Sequence, residues 1–224
     1  MGKHFGAFDI LGPVMIGPSS SHTAGAAKLG KIASQIGIGP IQKVTFQLHG
    51  SFATTGRGHG TDKALLAGVL GFTPDDERLK QSFEIAQERG IQFTFEETDL
   101  GDVHPNTVRF ILEMENGTLN TLTGSSIGGS NILITELDGE EVEFTGVYPT
   151  LITRHPDRPG IITSVTAILA RMKVNVAFMK VFRISRGEMS NMVLETDSLV
   201  PPEALREIEK LDYIERVILI HPVI

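Results

Sequence analysis

The sequence predicts an α+β protein made of two domains, and two observations support this prediction. Helix-type and strand-type hydrophobic spacings are mixed along the first part of the 224 residues, which ends in a series of strand candidates joined by Asn-Gly, Gly-Gly and Asp-Gly turn signals. A second, shorter series of elements begins near Tyr148 and is complete in itself. We therefore predict domains at residues 1–146 and 147–224.

The first domain begins as a mixture of helices and strands and ends as strands alone. Apolar residues at three- and four-residue spacing predict a helix over residues 20–36, and an alternating strand follows over residues 43–50. Two more helices are predicted over residues 61–70 and 79–89, the second ended by Gly90. Five strand candidates follow, the last four as an antiparallel meander: IQFTFEE, TVRFILEM, GTLNTLTGSSIGG, NILITEL and EEVEFTGV.

The second domain has a simpler pattern. Four alternating segments predict strands: PTLITRH, VNVAFMKVFRIS, EMSNMVLETD and YIERVILIHPV. Two amphipathic segments predict helices: IITSVTAILARM and PPEALREIEKL, the latter with prolines in its first turn, where a missing amide hydrogen costs least. The resulting order, β-α-β-β-α-β, is that of a ferredoxin-like split unit.

Composition excludes several classes of function. The net charge of −7 and the lack of a basic tract argue against nucleic acid or anionic lipid as a partner. No apolar run approaches the roughly 20 residues that a membrane span needs, and the first residues lack a signal-peptide pattern, so we expect a cytoplasmic protein. The sequence has no cysteine, which excludes a disulfide, a thiol nucleophile and a cysteine-bound zinc or iron–sulfur centre within this chain.

Three serines, a histidine and a threonine stand together at the start of the first predicted helix, in the stretch IGPSSSHTAGAAKLGKIASQIG. The first amide hydrogens of a helix lack partners within it, so a serine hydroxyl caps them and the helix end attracts anions. Such a site suits a carboxylate or a phosphate, and His22 in the first turn is able to transfer a proton. One capping serine, two solvated serines and a surface histidine would explain the same pattern without a function.

A similar composition recurs in SFATTGRGHGTDKA, residues 51–64, where we expect a glycine-rich loop ahead of a helix. Three glycines at alternate positions would let the backbone approach a ligand closely, and His59 adds a second imidazole. The spacing is not that of a phosphate loop, because Asp62 separates Thr61 from Lys63, and it does not match a dinucleotide fingerprint. We therefore exclude nucleotide binding, and a flexible loop without function is the alternative.

Two shorter motifs are HPN, residues 104–106, and GSSIGGSN, residues 124–131, and a turn explains each of them by itself. Three histidines, His22, His59 and His104, lie in segments rich in small residues, so a three-histidine metal site is an alternative to proton transfer. Their long spacings are not diagnostic of a metal site. We favour proton transfer and predict no metal ligand in the chain.

In the second domain, a tight turn that includes Asp157, Pro159 and Gly160 precedes a helix, and the polar Asn175 stands at the start of a strand. A helix start and an amide side chain together can hold a small zwitterion. An ordinary turn above a hydrophobic core explains the same residues.

The motifs taken together resemble a known family. IGPSSSHTAGA, GSFATTGRGHGTDKA, HPN and GSSIGGSN resemble the beta chain of iron–sulfur-dependent L-serine dehydratase across the whole first domain, with Ser130 where that family has another glycine. The first domain is thus similar to the allosteric substrate-binding domain that also occurs in some D-3-phosphoglycerate dehydrogenases. The DRPG-I turn and the βαββαβ order of the second domain resemble an ACT domain.

This resemblance implies that the chain is half of an enzyme. The family deaminates L-serine to pyruvate and ammonia, in serine catabolism and gluconeogenesis. A four-iron–four-sulfur cluster, held by cysteines of a partner alpha chain, acts on the substrate hydroxyl, so this chain alone would be inactive. The implied partners are that alpha chain, L-serine, and a second copy through the ACT domain.

The resemblance also implies roles for particular residues. His22 and His59 are the implied catalytic residues, and which of them is the base for the α-proton stays open. The residues that the resemblance places around the substrate are Ser19, Ser20, Ser21, Thr23, Gly60, Thr61, Asp62 and Asn106. In the ACT domain it implies that an effector contacts Asp157, Pro159, Gly160 and Asn175.

Two other functions remain to be weighed against a lyase subunit. Both domains resemble ligand-binding regulatory modules, so a free-standing amino-acid sensor is the first alternative. A detached regulatory tail of a D-3-phosphoglycerate dehydrogenase is the second, and the three histidine-containing segments argue against it. Turnover that depends on a cysteine-bearing partner would distinguish the lyase subunit from both.

Overall fold

The computed structural model describes residues 15–183 and 185–223, except for the side chain of Arg57. The chain forms two compact units, and the division between them falls between Leu133 and Ile134. The predicted domain boundary after residue 146 stays a prediction.

The first unit contains the helices and most strands of the predicted first domain. Its helices are a π-helical turn at Ser20–Gly25, α1 at Ala26–Ala33, α2 at Gly50–His59, α3 at Thr61–Val69, a 3₁₀ turn at Glu77–Gln81 and α4 at Ser82–Glu88. Its strands are β1 at Ile41–Leu48, β2 at Gln92–Glu97, β3 at Thr107–Met114 and β4 at Leu119–Gly128. The division between the units falls within β5, Asn131–Leu137, and β6 follows at Glu140–Phe144.

These strands form a sheet in the order β2-β1-β3-β4-β5-β6. β1 pairs with β2 in parallel, and it pairs with β3 antiparallel. Strands β3 to β6 are neighbours in chain order, so the predicted meander is confirmed. β2 is an edge strand of this sheet, so one side of its backbone has no strand partner among the described residues.

Helices α1 and α3 pack so closely that their backbones touch. A β-carbon added to Gly30 would lie 2.2 Å from the carbonyl oxygen of Leu65, and one added to Gly68 would lie 2.1 Å from the carbonyl oxygen of Ala27. Glycine at both positions is therefore a packing requirement. This contact fixes α3, and with it the end of α2, against the helix that carries the serine-histidine-threonine motif.

The prediction of a glycine-rich loop ahead of the helix at residues 61–70 is wrong for residues 51–59, because residues 50–59 form helix α2. The helix is anchored by Phe52, which is fully buried. Two threonine hydroxyls also bond back along the helix, Thr54 to the carbonyl of Gly50 at 3.1 Å and Thr55 to that of Ser51 at 2.8 Å. Glycine disfavours a helix by about 1 kcal/mol per residue, and tertiary burial of Phe52 overrides that preference here.

The second unit confirms the predicted ferredoxin-like order. Its elements are β7 at Thr150–Pro156, α5 at Ile161–Arg171, β8 at Val176–Arg183, β9 at Met189–Thr196, α6 at Pro202–Glu209 and β10 at Arg216–Ile220. The sheet is antiparallel in the order β10-β7-β9-β8, so β9 separates the two strands that α5 connects. The helices pack against the sheet, and the core between them includes Leu151, Val165, Leu169, Met192, Leu194 and Ile208.

Within residues 15–183 and 185–223, no helix combines the length and the apolar character needed to cross a membrane.

Candidate functional site

Two helical segments that are distant in sequence bring His22 and His59 together. His22 lies in the π-helical turn, and His59 is the last residue of α2. The centroids of the two imidazole rings are 5.2 Å apart, and the rings are tilted by 40°. Phe52 lies edge-on to His22 with a centroid distance of 5.3 Å, so the His22 ring rests on a buried aromatic side chain. This pair of histidines is the centre of the candidate active site.

The serines before His22 form a small hydroxyl cluster. Ser19 caps the π-helical turn, because its Oγ accepts a hydrogen bond from the backbone amide of His22 at 3.1 Å. Ser21 Oγ lies 3.3 Å from Ser19 Oγ and 3.2 Å from Nδ1 of His22. Ser20 is the first residue of the turn and is partly buried. The predicted helix start is therefore present, and more than one of its hydroxyls is engaged with the histidine.

The π-helical turn is fixed in shape by close packing. A β-carbon on Gly25 would lie 2.1 Å from Ser126 Oγ, so only glycine fits beneath this serine. Thr23 is buried, and a β-carbon on Gly17 would lie 2.6 Å from its side chain. Single-turn π-helical segments occur often at functional sites because they redirect side chains relative to a regular α-helix. Here the close packing around Gly25 and Thr23 holds the π-helical turn that carries His22.

Helix α2 contributes a second set of hydroxyls that the sequence motifs did not indicate. Ser51 and Thr55 each place a hydroxyl oxygen 3.1 Å from Nε2 of His22. Together with His59 they occupy positions four residues apart, which lie on one face of an α-helix. This spacing was a usable signal, but it has meaning only if residues 50–59 are helical.

One hydrogen bond defines which tautomer a neutral His59 ring adopts. Its Nδ1 lies 3.0 Å from the carbonyl oxygen of Thr55, and a carbonyl oxygen only accepts. Nδ1 therefore carries the hydrogen, and the neutral ring has its lone pair on Nε2. His59 is exposed, so that lone pair is accessible to a small molecule.

His22 has a different environment. Both of its ring nitrogens contact hydroxyls, Nδ1 through Ser21 and Nε2 through Ser51 and Thr55. Burial lowers the pKa of His22 from its ordinary value, and the positive charge that His59 can carry lowers that pKa further. His22 is therefore held neutral and oriented at neutral pH.

The segment after α2 supports the site from behind. Thr23 Oγ1 donates to the carbonyl of His59 at 3.4 Å, and Gly60 adopts a left-handed conformation, with φ of 69°, that separates α2 from α3. Thr61 is fully buried, and its hydroxyl has no hydrogen-bond partner among the described residues. Asp62 lines a separate cavity beside α2, and its carboxylate accepts from the amide of Lys63 at 2.8 Å.

The HPN motif lies beside the start of α2. The amide of Ser51 donates to the carbonyl of Pro105 at 2.8 Å, and the amide nitrogen of the Asn106 side chain donates to the carbonyl of Ser126 at 3.4 Å. His104 is exposed, and its Nδ1 accepts from the backbone amide of Asn106 at 3.1 Å. Among the residues that the structure describes, no group of three or more His, Cys, Asp or Glu side chains is arranged to hold a metal ion. The three-histidine metal site therefore gains no support.

The predicted effector residues occupy the two ends of α5. Asp157, Pro159 and Gly160 form the turn before the helix, and Asn175 follows it. The helix has 11 residues, which separates its two ends by about 16 Å. A single ligand of amino-acid size therefore does not contact both groups within one chain.

Each group has its own hydrogen bonds. The carboxylate of Asp157 accepts from Arg183 at 2.8 Å and from the amide of Gly187 at 3.2 Å. The hydrogen bond from Arg183 lowers the pKa of Asp157, so this side chain is a carboxylate at neutral pH. Asn175 donates to Asp197 at 2.6 Å.

The fold and the site together define a protein with a histidine–hydroxyl site in its first part and a ferredoxin-like second part. Comparison with known families matches residues 6–136 to the serine dehydratase beta chain and residues 150–213 to the ACT domain. The chain belongs to the serine dehydratase beta chain family and carries an ACT domain after the family's characteristic part. The resemblance drawn from the sequence motifs is confirmed.

Individual relatives agree with this assignment. The chain is 42% identical over 199 residues to the L-serine dehydratase beta chain of Peptoniphilus asaccharolyticus, with 88% of each chain covered. It is 43% identical over 215 residues to the probable L-serine dehydratase beta chain of Bacillus subtilis (strain 168), covering 96% of this chain and 97% of that one. A D-3-phosphoglycerate dehydrogenase of Archaeoglobus fulgidus is 34% identical over 193 residues, which are 84% of this chain but only 36% of the dehydrogenase. The near end-to-end matches favour the beta chain over a detached dehydrogenase tail.

Proposed function

We propose that this chain is the beta subunit of an L-serine ammonia-lyase, which converts L-serine to pyruvate and ammonia and is active only with its alpha chain. The observation that carries the proposal is the pair of imidazole rings 5.2 Å apart, surrounded by hydroxyls at the start of a helix. A base and a set of hydroxyl donors are what removal of an α-proton from a zwitterionic amino acid requires.

In this proposal His59 is the base. Its Nδ1 is committed to the Thr55 carbonyl, and its Nε2 carries the lone pair in an exposed position. His22 is instead a positioning residue, because both of its ring nitrogens already contact hydroxyls. A neutral His22 beside His59 also avoids the repulsion that two adjacent imidazolium rings would cause when His59 takes up the proton.

The hydroxyls would bind the substrate carboxylate. Five hydroxyl residues lie around or beside His22: Ser19, Ser20, Ser21, Ser51 and Thr55. The helix end that Ser19 caps is the positive end of the peptide dipoles. The remaining predicted residues would hold this arrangement in place: Thr23, Gly60, Thr61, Asp62 and Asn106.

The residues of this chain do not fit the four-iron–four-sulfur cluster that the family implies. The sequence contains no cysteine, so it offers no thiolate ligand. We propose that cysteines of the alpha chain hold the cluster, which would supply Lewis-acid chemistry at the substrate hydroxyl. The steps assigned to this chain are therefore limited to binding the substrate and moving its α-proton.

The ACT domain would bind a small amino-acid effector and pair with a second copy. One effector molecule would contact both ends of α5 only if the two ends come from different copies of the chain. One copy would supply Asp157, Pro159 and Gly160, and the other would supply Asn175. Edge strand β8 exposes large apolar side chains that such pairing would cover, with exposures of 54% for Phe178, 45% for Met179 and 38% for Val181.

The substrate and product are soluble metabolites, so we also propose a cytoplasmic location and a role in serine catabolism that feeds gluconeogenesis.

The test is anaerobic pyruvate release from L-serine, measured for this chain alone and for the chain co-expressed with a cysteine-bearing alpha chain. Activity in the co-expressed complex and none in this chain alone is the expected result. A complex with an intact cluster but no turnover would contradict the proposal, and saturable L-serine binding to the chain alone would then support the amino-acid sensor.

A further inference from the structure

A cavity that contains neither histidine lies beside α2. It has a volume of about 390 Å³ and is bounded by α2, α4 and the edge strand β2. This volume falls within the range of roughly 300–1,000 Å³ that is typical of small-molecule sites. The cavity shares Phe52 with the His22 environment but uses none of the catalytic hydroxyls.

The wall of the cavity is aromatic. Phe83, Phe93 and Phe95 line it and contact one another, with ring centroids 5.1 Å apart for Phe83 and Phe93 and 6.1 Å apart for Phe93 and Phe95. All three are only half-buried, so their rings still present surface to an occupant. The faces of aromatic rings carry negative charge density and attract cations.

The rim of the cavity is acidic. Its charged lining residues are Asp62, Glu96 and Glu97, and none of the lining side chains that the structure describes is basic. Glu97 follows Phe93 and Phe95 at two-residue intervals on β2, so it belongs to the same face of the strand as the rings. No ion pair joins any of these three carboxylates to a described basic side chain within 4.0 Å.

One cation already lies near this cluster. Lys63 Nζ is 5.6 Å from the centroid of the Phe83 ring and donates to the carbonyl of Lys80 at 2.9 Å. Lys63 does not line the cavity, and its ammonium also bonds to that carbonyl. Phe83 therefore has a cationic partner already, whereas Phe93 and Phe95 have none among the described residues.

We propose that this cavity is a binding site for a small organic cation, an ammonium or guanidinium group carried on an apolar body. The rings would enclose the apolar body and face the cation, while Asp62 and Glu97 would neutralise its charge. A zwitterion such as L-serine fits poorly, because its carboxylate would meet the acidic rim and it has little apolar surface to bury. The inference rests on this cavity alone and does not depend on the proposed lyase activity.

Three probes that share one apolar body test the charge requirement: 2-phenylethylammonium, neutral 2-phenylethanol and anionic phenylacetate. Binding to the full chain would be measured by isothermal titration calorimetry at low salt, supported by saturation-transfer NMR for weak ligands. We expect 2-phenylethylammonium to bind at least fivefold more tightly than 2-phenylethanol, and phenylacetate not to bind. Equal affinity for all three, or no saturable binding of the ammonium, would overturn the proposal.

Variants test the location of the site. Glu97→Gln and Phe93→Leu should each weaken 2-phenylethylammonium binding at least fivefold, and Phe93→Leu should affect 2-phenylethanol much less because it keeps apolar volume. Glu88→Gln, an exposed carboxylate on α4 that does not line the cavity, is the matched control and should leave the affinity unchanged. Unchanged binding in both Glu97→Gln and Phe93→Leu would show that the ammonium binds elsewhere.

Discussion

At the scale of single residues, the two histidines of the candidate site differ in what their ring nitrogens touch. His59 has one nitrogen fixed by a backbone carbonyl, whereas His22 has hydroxyls on both nitrogens. In the proposed function, this difference in neighbouring atoms, and not the residue type, is the reason for giving proton transfer to His59 and positioning to His22.

The first prediction concerns the base. His59→Gln in the complete complex should lower kcat by about 10²–10⁴-fold, because the residue that accepts the α-proton is lost. Pyruvate release from L-serine measures this effect. His221→Gln, an exposed histidine near the C-terminus, is the control. An unchanged kcat in His59→Gln would remove the assignment.

The second prediction concerns His22 and stability. Its pKa in the folded chain lies below the unfolded value of about 6.5, so the unfolded state binds more protons in the interval between them. The free energy of unfolding should therefore fall as the pH drops from above the unfolded pKa through the folded one. His22→Gln should show a smaller fall.

Urea denaturation at about pH 7.5 and about pH 5.5 measures this difference. If His22→Gln and the unmodified chain lose the same stability on acidification, the lowered pKa of His22 has no part in it.

At the scale of secondary-structure elements, glycines decide how the helices of the first unit meet. Gly30 and Gly68 allow α1 and α3 to touch through their backbones, and neither backbone can move aside for a methyl group. Gly58 is different, because nothing lies within 4 Å of a β-carbon placed there on the exposed side of α2.

The third prediction compares these glycines. Gly30→Ala and Gly68→Ala should each destabilise the chain by about 1–3 kcal/mol or more, because the added methyl overlaps a carbonyl oxygen. Gly58→Ala should stabilise it by up to about 1 kcal/mol, because alanine favours a helix more than glycine does. Urea denaturation curves give all three values. A neutral Gly68→Ala would mean that the two helices are not packed as described.

At the scale of the whole molecule, the second unit presents an apolar edge. Phe178, Met179 and Val181 on β8 are all exposed large hydrophobic side chains, and Ile162 at the start of α5 is 40% exposed. An edge strand with such side chains is suited to pairing with another copy.

The fourth prediction tests that pairing. Val181→Lys should shift the chain toward monomer, because the charge would be buried at the joined edges. Sedimentation equilibrium measures the change in association. Leu199→Lys changes a side chain that is 53% exposed in the turn after β9, and it should leave association unaffected. Equal association in both variants would show that the contact between copies does not involve β8.

The sequence by itself determined the order and type of nearly all elements. Hydrophobic spacing is a local property, so the meander, the βαββαβ order and the helix start at Ser20 follow from it. The serine and histidine motifs also identified the family, because side-chain chemistry is visible before folding. In the candidate site, His22, His59 and Ser21 were named from the sequence and lie together.

Only the tertiary structure decided how the second histidine segment folds and what it contacts. Residues 50–59 carry three glycines and appear loop-like in sequence, and the burial of Phe52 makes them a helix. That helix turns Ser51 and Thr55 onto His22, which lies about 30 residues earlier in the chain. The phenylalanine cavity likewise joins residues from α2, α4 and β2. Contacts between distant segments depend on how whole elements pack, and local periodicity carries no information about that packing.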